Sequence, residues 1–168
     1  MSLTQIIDAT ASAVAADEKN ASVVFRAAGS SPDGVASTIR ARQHVLTVDE
    51  PPTLGGADTA ANPVEYALAA LVSCQVVAYR FWAAKLGIAL NGITVEAEGD
   101  LDVRGFFGLA DDVRPGFSAV RVAATLTGPE SAERYEELQA ATDAHCPVFD
   151  LFGNPTPVTT ELKVTTRA

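Results

Sequence analysis

The stretch Asn62–Gly87, NPVEYALAALVSCQVVAYRFWAAKLG, decides the fold. Asn62 is a good N-cap, Pro63 suits the first helical position, and Glu65 falls at the third, from where its carboxylate can return to the Asn62 amide in a capping box. Gly87 supplies a left-handed stop. A helix over Pro63–Leu86 would run about 36 Å, enough to cross a small domain. Leu71, Val77, Ala78, Phe81 and Trp82 share the side of Cys74, while Ala69, Val72, Val76 and Ala83 lie opposite. With both faces apolar, the helix is expected to sit between two layers. Ser73 and Gln75 interrupt the apolar run and Arg80 and Lys85 follow, which argues against a membrane span.

Upstream, residues 3–16 suggest an N-terminal helix with Ile6, Ile7, Thr10 and Val14 on one side, so residues 1–20 read as an extension or helix ahead of the main domain. Ala21–Ala28 and Val35–Val48 read as two strands of a hairpin turned by GSSPDG. Period-2 alternation in the second strand puts Arg40, Arg42 and His44 on one face. The Pro-, Gly- and Asp-rich segment DEPPTLGGADTAA is a loop delivering the chain to Asn62. Downstream come a strand over Ile93–Glu98 with a continuation through Asp100–Val103, and a strand over Ser118–Thr127. A helix over about Pro129–Ala144 follows, with Thr127 and Glu130 in capping-box spacing and Tyr135, Leu138 and Thr142 along its inner stripe. Pro147 opens a short turn, VFDLFGN, before a final strand, Pro157–Thr165. Strands clustered before and after the helices, without βαβ alternation, indicate an α+β fold with a largely antiparallel sheet.

At 168 residues and 48% hydrophobic composition, the chain is expected to form a single domain over residues 1–168 with a real core, needing no structural metal or disulfide. A net charge of −9 excludes the basic footprint that nucleic acid requires and disfavours anionic membranes. The N-terminal residues lack the pattern of a secretory signal, so a cytoplasmic location is expected.

In a reducing compartment, Cys74 and Cys146 are free, catalytic or redox-active sooner than a structural bridge. Two readings stand side by side: buried cysteines acting as small hydrophobes, or a peroxidatic and resolving pair in which one thiolate becomes a sulfenic acid and the other thiol condenses with it. Burial raises a thiol's pKa, so a nucleophile at Cys74 needs a cation, for which Arg40 and Arg42 are candidates. His44 and His145 with both cysteines would make a Cys2His2 zinc set only at scattered spacing, and neither a metal nor a cofactor is expected.

LGG (Leu54–Gly56), NPVEYALAALVSC (Asn62–Cys74), AAKLGI (Ala83–Ile88) and HCPV (His145–Val148) together resemble the OsmC/Ohr superfamily, the osmotically inducible and organic hydroperoxide resistance proteins, in order and relative position across residues 21–166. The resemblance implies an OsmC-like, strand-exchanged homodimer with sheets wrapped around two central helices. It further implies a peroxidatic Cys74, a resolving Cys146, an organic hydroperoxide substrate and a dithiol reductant such as dihydrolipoamide. In the hydroperoxide reductases an acidic residue that holds the active-site arginine directly follows the NP pair. Here that position is Val64 and the acid is Glu65, an NP-x-E arrangement shared with other superfamily members. The family's arginine sits near the end of the first strand, which makes Arg26 a third candidate beside Arg40 and Arg42. Two main functions follow: a thiol peroxidase using Cys74, Cys146, Arg42 and Glu65, or a non-catalytic relative that binds a small apolar ligand or partner around core cysteines. A redox sensor is a third.

Overall fold

A computed structural model describes residues 1–166. Its elements are α1 (Leu3–Ala16), β1 (Ala28–Ser30), β2 (Ser37–Ala41), β3 (His44–Val48), α2 (Pro63–Leu86), β4 (Gly92–Asp100), α3 (Val103–Phe106), β5 (Ala119–Thr127), α4 (Ala132–His145) and α5 (Pro147–Gly153). The α+β class holds: β1-β2-β3 form one antiparallel sheet and β4-β5 a two-stranded antiparallel ribbon.

The central helix forms over the expected residues, for the expected reasons. Asn62 accepts from the Glu65 amide at 2.9 Å, and the Glu65 carboxylate accepts from the Asn62 amide at 2.8 Å. Gly87 closes the helix at φ 65°, in the left-handed region. One stripe of α2 is fully buried: Leu71, Gln75, Ala78, Tyr79 and Ala83. The opposite side, with Ala69, Ser73 and Val77, is exposed, so this single chain supplies only one of the two layers expected around the helix. The core is Tyr79 and Ala83 of α2, Ile88 beyond its end, Val95 of β4 and Leu138 of α4.

The sequence reading is corrected at several points. Residues 22–27 join no ladder, and the first strand is Ala28–Ser30, overlapping the expected strand only at Ala28 and running on into the segment expected to turn. The span Val35–Val48 is two strands, because the chain reverses at Arg42 and Gln43, with Arg42 in the left-handed region at φ 58°. Ladder β4 ends at Asp100, where Asp102 caps the short α3. Helix α4 starts later than expected, capped by Ser131, while Glu130 instead accepts from the Ala89 amide. VFDLFGN is helical as α5 and not a turn. Residues 157–165 join no ladder, although their apolar residues alternate: Val158, Leu162 and Val164 all stand exposed.

The loop before α2 is organised by Asp49. Its buried carboxylate accepts from the amides of Glu50, Ala57 and Thr59 and from the Thr59 hydroxyl at 2.8 Å. These donors hold its pKa at about 2, the Thr59 amide contributing most. The tight fold-back explains the two glycines: Gly55 has φ 85°, and a Cβ on Gly56 would stand 1.8 Å from the Glu50 carbonyl oxygen.

The accessible surface is 12320 Å². A self-contained globule of this mass, 17.5 kDa, would expose about 7,900 Å². The surplus is concentrated in residues 22–27, the outer side of α2, the face of the β1–β3 sheet and the segment after α5.

Candidate thiol site

Helix α2 carries Cys74, half-buried, on the flank of its buried stripe. Cys146 occupies the junction of α4 and α5, where it is only 1% exposed and caps α5 ahead of Pro147. The two helices that present them are locked together. Leu138 and Thr142 of α4 are buried, and the Gln75 amide donates to the Asp143 carboxylate at 3.3 Å. Asp143 also acts on Tyr79, whose phenol is pushed up to about 12, by burial first and by that negative charge second.

This docking brings together residues 72 positions apart in the sequence: the Cys146 side chain lies close to Cys74. Burial is the largest influence on Cys146 and raises its pKa. The Phe149 amide opposes it, the neighbouring Cys74 side chain raises it further, and the Val148 amide gives a smaller lowering. Cys146 is therefore held toward the protonated thiol. Both cysteines are free.

The remaining candidates lie elsewhere. Glu65 is engaged in the capping box. In the β2–β3 register Ile39 faces Leu46 and Arg40 faces Val45. Ile39, Leu46 and Val48 line a cavity shared with Ala69, Ala70 and Ser73 of α2, so Arg40 projects from the other side of the sheet. Arg42, displaced into the turn, lines an open cleft with Arg26, Val24 and Phe25 in which neither cysteine takes part. The three candidate arginines are thus not gathered at Cys74 within one chain. His44 lies on β3, and His145 packs its ring on Trp82, centroids 4.2 Å apart. No group of three or more His, Cys, Asp or Glu side chains suited to a metal occurs among the described residues. Helix α2 has the length and hydropathy of a membrane span, but it is the helix on which the core is built.

Sequence reasoning missed Gln75 and Asp143 as the clamp behind the thiols. A glutamine in an otherwise apolar helix, one residue from Cys74, is the signal that a buried polar partner is required. It also missed Arg114, which lines a cavity beside the site.

An α+β chain whose long central helix and a second helix end bring two free cysteines near each other has the plan of a thiol-pair protein built on small antiparallel sheets. The chain belongs to the OsmC-like protein family, whose model matches residues 55–161. Its fold is similar to the OsmC-like protein of Mycoplasma pneumoniae, with TM-score 0.66, 17% identity, and 78% of this chain and 88% of that one covered. It is similar also to an organic hydroperoxide resistance protein OsmC from Legionella pneumophila, with TM-score 0.61, 22% identity and coverage of 77% and 89%. A third similar structure is an organic hydroperoxide resistance protein from Elizabethkingia anophelis, with TM-score 0.60, 20% identity and coverage of 77% and 88%. No curated protein matches significantly.

Proposed function

We propose that this protein is a thiol-dependent peroxidase of organic hydroperoxides that works as a homodimer in the cytoplasm. The observation that carries the reading is the proximity of the Cys74 and Cys146 side chains, one half-buried and one buried, where α2 packs against α4 and α5. The Cys74 thiolate attacks the distal peroxide oxygen; the O–O bond breaks, Cys74 becomes a sulfenic acid, and the departing alkoxide takes a proton from water and leaves as the alcohol. The Cys146 sulfur then attacks the Cys74 sulfur, its proton leaves with the sulfenic oxygen as water, and a disulfide forms. A dithiol such as dihydrolipoamide returns both thiols by exchange, becoming the cyclic disulfide. Similarity to proteins named for organic hydroperoxide resistance supports the substrate class.

The surplus of apolar surface supports the dimer. Exposed segments at residues 22–27 and 157–165, which join no ladder in this chain, are what strand exchange would pair. Because Arg26 and Arg42 stand together away from the thiols of their own chain, the cation for Cys74 is supplied on this reading by a second copy.

Steady-state consumption of cumene hydroperoxide with excess dihydrolipoamide tests the reading. Native protein is expected to turn over rapidly, Cys74→Ser not at all, and Cys146→Ser to complete one turnover and recycle slowly. Equal, negligible rates in the native protein and Cys74→Ser would overturn it and make small-ligand binding the leading function.

A further inference from the structure

A cavity of about 410 Å³ opens between the start of β5, the connection that precedes it, and α5. Leu71 of α2 and Val122 of β5 contribute to its walls, along with Phe117, Phe149 and Phe152. Phe117 and Phe152 stack there with centroids 6.2 Å apart. Leu71 is one helical turn before Cys74 and Phe149 three residues after Cys146, so the cavity is walled by the same helices that carry the thiols, although neither cysteine lines it. Its one cationic lining residue is Arg114.

Arg114 differs from the arginines near it. Arg104 pairs with Asp102 at 2.5 Å, Arg121 with Asp100 and Glu98 at 2.6 Å, and Arg134 with Glu137. No ion pair or side-chain hydrogen bond of Arg114 occurs among the described residues. The acid on α5, Asp150, is taken by the Asn154 amide at 2.7 Å. Arg114 is solvent-exposed at the cavity mouth, with its guanidinium over Gly116, 3.5 Å from where a Cβ would stand. An aromatic-walled pocket with one unpaired, planar, five-donor cation matches a ligand with an apolar body and a single carboxylate.

We propose that this cavity binds small carboxylates with an aromatic or short aliphatic body, the body against Phe117 and Phe152 and the carboxylate on Arg114. Binding requires no thiol chemistry, so the site stands or falls independently of the peroxidase reading.

The test is calorimetric titration of the reduced full-length protein with 4-phenylbutyrate and with its uncharged counterpart 4-phenylbutanol. Native protein is expected to bind the carboxylate about tenfold or more tightly than the alcohol, the preference of a charge-assisted pair over a neutral one. Arg114→Gln should erase the preference while leaving alcohol binding unchanged, and Arg114→Lys should keep part of it. Equal affinity for the two probes, a preference that survives Arg114→Gln, or no binding of either probe would each overturn the proposal. A circular dichroism spectrum identical to native confirms that the variants are folded.

Discussion

Around α2, α4 and the β4–β5 ribbon, Tyr79 and Leu138 are 2% and 0% exposed; before β1 and beyond α5, Phe25 and Leu162 are 88% and 87% exposed. Both regions are rich in apolar residues, so composition does not separate them. What separates them is whether a second layer exists within the chain. The ribbon and α4 cover one side of α2 and complete a core, whereas the β1–β3 sheet reaches α2 mainly through the Tyr66 hydroxyl, which donates to the Thr47 carbonyl at 2.8 Å. The closed region is a finished hydrophobic core. On the proposed dimer, the open region is half of one.

This contrast can be broken most forcefully at Leu138. Leu138→Ala removes a fully buried side chain and should lower unfolding free energy by about 2–5 kcal/mol at any protein concentration, as measured by urea denaturation. Phe25→Asp acts on the open side. It should weaken self-association at least tenfold, about 1.4 kcal/mol, in sedimentation equilibrium while leaving the concentration-independent part of stability intact. Unchanged association in that variant would remove the open face from the dimer.

Acid sharpens the comparison at the hinge between the regions. The folded Asp49 carboxylate titrates near 2, below its ordinary 3.8, so the unfolded chain binds the proton more readily. Its contribution is fully present above about pH 4 and is lost as pH falls toward 2. Proteolysis of the segment between β3 and α2 should accelerate across that window in native protein, and at neutral pH in Asp49→Ala. Asn62→Ala should cost about 1 kcal/mol through the lost cap, with peroxide turnover per folded molecule unchanged. The smallest effect is at Thr142, whose buried hydroxyl lacks a partner. Thr142→Val should leave thermal stability unchanged or raise it by up to about 1 kcal/mol.

How much the sequence disclosed follows the same division. Helix α2 was legible because its stop and start are local: Asn62, Pro63, Glu65 and Gly87 each act within a turn of themselves. The reversal at Arg42 and Gln43 was not, since the pair carries none of the Gly, Asn or Pro chemistry that marks a turn, and the ladder imposes it from outside. Alternation at residues 157–165 identified a segment fit for a strand, but a strand exists only with a neighbour, and this chain offers none. The same limit governs the site. The identities of Cys74 and Cys146 were readable from their motifs, whereas the Gln75–Asp143 clamp and the position of Arg114 arise from long-range packing.

Trp82 is the sole tryptophan of the chain, with the Lys85 ammonium 4.2 Å from its ring centroid and the His145 ring against it. His145 is joined to Cys146 by one peptide link, so any shift of Cys146 on oxidation is passed directly to the indole's surroundings. The molecule therefore carries its own fluorophore at the thiol junction, and on the proposed peroxidase reading its ultraviolet emission would serve as a label-free optical gauge of thiol oxidation and reduction.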